Sequence, residues 1–179
     1  MHTYTVQEAQ NQHLGSVIKV TPSVLLGTTH ADDVMFSAIA EIPNAVSVIG
    51  GTSRLIAISI IDYDVENHDF DIFFHSNGTE SIASLGTQGS AVTISDTNIG
   101  KMGHLGIIRI DWSDYTIPFA TTAGAITIGN NTSLTECPLP MLLQGASDST
   151  SVYFQCVARE EADWAATTNL QFYFHIEYK

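Results

Sequence analysis

Basic residues are scarce in this chain of 179 residues: Lys19, Arg54, Lys101, Arg109, Arg159 and Lys179 stand singly against 19 Asp and Glu, for a formal net charge of -13. Binding to the phosphate backbone of a nucleic acid needs clustered cations, so the scatter excludes DNA and RNA as expected partners. An anionic membrane surface repels the chain for the same reason. The acidic excess favours solubility and docking on a surface with a basic patch.

Long apolar runs are also missing. No stretch of about 18 apolar residues occurs, and the start (Met1, His2, Thr3, Tyr4, Thr5, Val6) has no basic segment followed by an apolar one, so neither a membrane span nor a cleaved signal is expected. Cysteine is limited to Cys137 and Cys156, far from C-x-x-C spacing. This excludes a recognisable metal or redox motif and points to two free thiols in a reducing compartment, although spacing leaves their pairing open.

Catalytic signatures are absent as well. The chain has no G-x-S-x-G elbow, no G-x-x-x-x-G-K phosphate loop, and seven histidines of which none falls in H-x-H or H-E-x-x-H spacing. A cupin-like enzyme needs clustered histidines, which this spacing does not offer. No segment carries a three-turn amphipathic stripe, which argues against helices alternating with a parallel nucleotide-binding sheet. The expectation is a protein that is not an enzyme and needs no cofactor.

What the chain does have is strand signal. Hydrophobic residues make up 44% and charged residues 14%, a balance that folds, and the length suits one domain with a self-sufficient core. At the C-terminus Leu170, Phe172, Phe174, Ile176 and Tyr178 alternate with polar or amphipathic neighbours, the period of a half-buried strand. Val152 to Ala158 forms a second strand with both faces partly covered. Leu55 to Ile61 is a β-branched run expected to be buried on both faces, and Phe70 to His75 returns after an acidic turn, which predicts an antiparallel pair. Further strands are expected near 16–21, 34–42, 91–95, 105–111, 125–128 and 139–143, with single helical turns at 80–85 and 96–99. Gly50-Gly51, Asn77-Gly78, Gly86, Gly89 and Gly145 punctuate them.

The fold class that follows is all-β: an antiparallel β-sandwich of jelly-roll type over residues 17–179, preceded by a polar N-terminal arm, 1–16, with Tyr4 and Val6 as its anchors. Three features invite a functional reading. Asp62, Asp64 and Glu66 place oxygens at positions 1, 3 and 5 of a calcium-type loop. Asn67 stands where that loop needs Gly and Phe73 where it needs Glu, so a solvated acidic turn is the simpler reading. Trp164, flanked by Glu160, Glu161 and Asp163, is a candidate interface anchor if its indole is exposed. The arm, through Tyr4 and Val6, is a candidate contact with a neighbouring subunit.

The order of segments resembles that of small β proteins encoded among the head genes of tailed phages, the capsid decoration (cement) proteins. The resemblance rests on Lys19-Val20-Thr21-Pro22; on Ile58-Ser59-Ile60-Ile61-Asp62-Tyr63-Asp64 followed by Asp69-Phe70-Asp71-Ile72-Phe73-Phe74; and on Val92 to Asn98. It continues with Gly106-Ile107-Ile108-Arg109-Ile110-Asp111 and Asp114-Tyr115, then Val152 to Arg159 and the final alternating strand. It extends over roughly residues 17–179. The chain departs from the pattern in its Gln-rich N-terminal stretch and in an insertion between Ala38 and Arg54.

The resemblance implies a structural virion protein made in the host cytoplasm and bound to the outer surface of a bacteriophage capsid. There it is expected to stabilise contacts between major capsid protein subunits as a homo-oligomer, a trimer or a dimer. The alternative reading is a carbohydrate-binding β-sandwich of a phage fibre or surface protein, with Trp164, Tyr153 and Tyr173 stacking on sugar rings.

Overall fold

In the computed structural model the C-terminal alternation forms a nine-residue strand, β12 (Leu170–Tyr178), with Leu170, Phe172, Phe174 and Ile176 buried. The structure describes residues 15–36, 38–66, 68–112, 117–120, 123–129 and 139–178. The arm anchors Tyr4 and Val6, and Cys137, lie outside the described residues.

Two antiparallel sheets make up the body. In the first, β12 sits between β1 (Gly15–Val20) and β4 (Thr52–Asp62). The far edge of β4 pairs with β9 (Met141–Gln144) along its first half and with β8 (Ala123–Ile128) along its second, and β7 (Ile117–Ala120) follows β8. The second sheet runs β3 (Ala40–Ile42), β10 (Val152–Ala158), β5 (Phe70–His75), β6 (His104–Ile110). A two-stranded ribbon, β2 (Gly27–Thr29) with β11 (Ala162–Trp164), stands apart from both. The described residues therefore form an all-β sandwich, with single helical turns at Glu80–Ala83 and Asp96–Ile99 as expected. β1 begins at Gly15, so Gly15 and Ser16 belong to the sandwich rather than to the arm.

The two sheets close on an aromatic core. Phe154 of the second sheet meets Phe174 and Phe172 of the first edge to face, with ring centroids 5.0 and 5.1 Å apart, and Phe36 and Phe74 extend the cluster. Such pairs add to the burial of their area, which dominates the stability of a two-layer body. Leu55, Ile58, Ile60, Ile72, Ile108 and Ile126 fill the space around the rings.

The expected pairing of β4 with β5 does not form: the two strands lie in opposite sheets, and the acidic turn between them crosses from one layer to the other. Nor is β4 buried on both faces. Pairing with β12 slips between His175 and Ile176, so that Leu55 and Ile58 both face the core, while Ile56 is pushed outward at 43% exposed. A one-residue bulge of this kind flips the faces of a strand.

The 91–95 segment is not a strand. Ala91 makes a single bridge to Asp33, and the chain from 76 to 103 instead folds over the outer face of the second sheet. That cover explains why β10 is buried on both sides. Ala83, Leu85 and Met102 pack on Val34 and Val157 in a second apolar cluster, and the Gln155 side chain accepts a hydrogen bond from the Leu85 amide at 2.7 Å. Only 40–42 of the expected 34–42 strand is continuous, with isolated bridges at Val34 and Phe36.

Candidate functional site

The acidic turn after β4 is built as a clasp. Asp62, fully buried, accepts from the Asp64 amide at 2.8 Å; Asp64 accepts from the Ala165 amide; Glu66 accepts from the Asp163 amide at 2.8 Å. The three side chains thus bond to three separate backbone donors, two of them on and just after β11. Val65 completes the turn with φ of 58, a conformation a β-branched residue rarely holds unless its surroundings impose it. Among the described residues no group of three or more His, Cys, Asp or Glu is arranged to hold a metal ion.

What the clasp holds is Trp164. The condition on which Trp164 was a candidate interface anchor, an exposed indole, is not met: Trp164 is 1% exposed, its ring meeting His68 edge to face at 5.0 Å. In β11 the pattern is Ala162 in, Asp163 out, Trp164 in, so the neighbouring carboxylates face solvent while the indole closes one end of the sandwich. His68 also packs on Phe70 at 5.4 Å. Burial lowers the His68 pKa to about 4, which keeps the imidazole neutral at ordinary pH.

At the other end of β5 a second imidazole is buried. His75 Nδ1 donates to the Asn77 carbonyl at 2.8 Å, and the ring stacks on Tyr153 with centroids 6.2 Å apart. Its pKa is lowered to about 4, chiefly by burial, with the Asn77 carbonyl opposing the shift and the nearby His104 adding to it. Sequence spacing gives no sign that these two histidines are interior. Cys156 is a free thiol, fully buried on β10, its pKa raised by burial and by the nearby Asp71 carboxylate, so it is a core filler rather than a nucleophile.

Two surfaces remain. One is a polar cleft of about 750 Å³ at the His75 end, lined by Ser76, Asn77, Thr79, Lys101, Asp148 and Tyr153 among others. Tyr153 is not a free platform there. His75 stacks on it, and the ring lies so near Gly78 that a Cβ at that position would fall 2.3 Å from Tyr153 Cζ. Tyr173, the other aromatic considered for sugar stacking, sits beneath Lys19, whose Nζ is 5.7 Å from the ring centroid.

The other surface is the outer face of the first sheet, set out in cross-strand rows. Val17, His175 and Ala57 make one row, and Lys19, Tyr173, Ser59 and Thr127 the next. Gln171, Ile61 and Ala125 make a third, and Glu177, Arg54 and Leu142 a fourth. Val17 is 57% exposed and Leu142 53%. Unlike the second sheet, this one has no apolar cover among the described residues.

No protein-family model matches the chain, and no curated protein sequence does.

Proposed function

We propose that the protein is a structural, non-catalytic component of a bacteriophage virion that binds the outside of the capsid and stabilises contacts between major capsid protein subunits. The observation that supports this most is where the chemistry is not concentrated. The interior is filled by interlocked Phe rings, the acidic clasp is engaged with its own backbone, and both buried imidazoles are neutral, so the capacity to interact lies on broad outer surfaces. The segment order described above supplies the assignment to capsid decoration.

The strand orders fit the jelly-roll winding expected from the sequence. Numbered in chain order, the eight main strands β1, β3, β4, β5, β6, β8, β10 and β12 run 1-8-3-6 in one sheet and 2-7-4-5 in the other. The acidic remainder of the surface suits a shell with basic patches at its subunit junctions. Mixing the purified protein with capsid shells and scoring saturable binding by co-sedimentation and electron microscopy tests the reading. Binding at repeated positions on the shell is expected, and failure to bind any particle overturns it.

The polar cleft beside Tyr153 gives a carbohydrate-binding reading its one favourable observation, a concave surface rich in hydroxyl and amide groups. A glycan array probed with and without a chelator tests that alternative; it falls if neither condition gives binding.

A further inference from the structure

We infer that the outer face of the first sheet is a self-association surface, against which a second copy of this chain packs with the same face.

Charge argues for this occupant. Two chains of net charge -13 repel one another over most of their surfaces, and approach is favoured only where carboxylates are sparse. Among the described residues of this face the formal charges are Lys19, Arg54 and a single one of the chain's 19 carboxylates, Glu177, which pairs with Arg54 at 3.7 Å. The face thus carries one net positive charge on a strongly acidic molecule.

The polar groups argue for burial. A surface that docks must lose its water, and each group left unpaired costs about 1–3 kcal/mol. On this face the bonds are already made within the sheet. Ser59 Oγ bonds Thr127 Oγ1 at 2.9 Å and His175 Nε2 at 3.1 Å, and the Tyr173 hydroxyl donates to Gln171 Oε1 at 3.2 Å. What these polar groups leave for contact is largely apolar: Val17, Ile56, Ala57, Ile61, Ala125 and Leu142. The bulge at Ile56 opens a shallow groove of about 270 Å³ beside Val17 and His175, a receiving depression for a side chain of the partner.

Size is adequate too. Four strand columns, β8 and β9 sharing one, spaced about 4.8 Å apart and about 30 Å long give roughly 600 Å², at the lower end of what each partner brings to a specific interface. A face that packs against its own copy closes as a two-fold dimer.

Sedimentation velocity on the full chain across a concentration series at low and high salt tests the inference. The expected result is a monomer–dimer equilibrium that tightens as salt is raised, because screening relieves net repulsion while no interfacial ion pair is lost. Val17→Glu and Leu142→Glu, both at exposed positions on different strands, are each expected to weaken the dimer at least ~10-fold by opposing carboxylates in a desolvated contact. Val48→Glu, exposed in a loop off this face, is expected to leave it unchanged.

A wild-type chain that stays monomeric throughout the series overturns the inference. So does a dimer that survives both substitutions in variants that melt like the parent. Should one variant fail to fold, the other and the salt series still decide. The result is separable from capsid binding: a dimer that binds no shell contradicts only the virion reading, and a monomer that binds shells contradicts only this one.

Discussion

The imidazole of His68 stands edge to face against the indole of Trp164, 5.0 Å between centroids, with His68 3% and Trp164 1% exposed. One arrives from the turn between the sheets and the other from the ribbon strand β11, so their contact ties the crossing loop to the closed end of the sandwich.

That contact, with its counterpart at His75, makes the fold acid-sensitive. Both imidazoles titrate near 4 in the folded protein and near 6.5 when unfolded, so between those values the unfolded chain holds more protons and stability falls as pH drops. By pH 4.5 the loss is on the order of 2 kcal/mol for each histidine. Urea denaturation at pH 7.5 and 4.5 measures it. His68→Gln is expected to lower stability at pH 7.5 and to make the dependence on pH shallower.

Phe154 touches Phe36, Phe74, Phe172 and Phe174 at the centre of the core. Phe154→Ala removes a ring shared by both sheets and is expected to cost about 3–5 kcal/mol, read from the shift in urea midpoint at unchanged slope.

The acidic clasp is expected to act through hydrogen bonds rather than through an ion. Asp64→Ala removes the acceptor for the Ala165 amide and is expected to cost roughly 1–2 kcal/mol. Adding calcium, or a chelator, is expected to leave the melting temperature of the parent unchanged; a rise of several degrees with calcium contradicts this account of the turn.

Gly78→Ala drives a methyl group into the Tyr153 ring, which cannot easily yield because His75 stacks on it. A loss of about 1–3 kcal/mol is expected, measured as a lowered melting temperature. Tyr153→Ala in the same background is expected to remove the added cost of the methyl.

Cys156, buried with its pKa raised, is expected to resist alkylation until the chain unfolds. Peptide mapping after timed labelling checks this at that residue, and rapid labelling in native buffer contradicts it.

The sequence made some of this fold readable and hid the rest for definable reasons. β5, β10 and β12 stand where alternation places them, because a half-buried strand imprints its two faces on its own residues. Pairing is not imprinted in that way. β4 and β5 are close in the chain and look like a hairpin, yet they lie in different layers, a choice made by contacts from β8, β10 and β12 far away in sequence.

The site followed the same rule. Asp62, Asp64 and Glu66 were visible as an acidic cluster, but the partners of Asp64 and Glu66 are backbone amides about a hundred residues further on. Trp164 looked exposed because its flanking carboxylates are charged. The signal that places it inside is the short alternation Ala162, Asp163, Trp164, too brief to stand out from a long loop. The charge-poor face was unreadable for a different reason: its rows are assembled from β1, β12, β4, β8 and β9, and no single segment carries it.

The claim that outer surfaces are the working part of this molecule is tested most directly by a side-chain-resolution reconstruction of capsid shells incubated with the protein. The account predicts intact sandwiches seated on the shell exterior, bridging neighbouring subunits through surface residues, with the Phe core and both buried histidines arranged as they are here. Shells without added density, or a sandwich opened around a ligand held inside it, contradict the account.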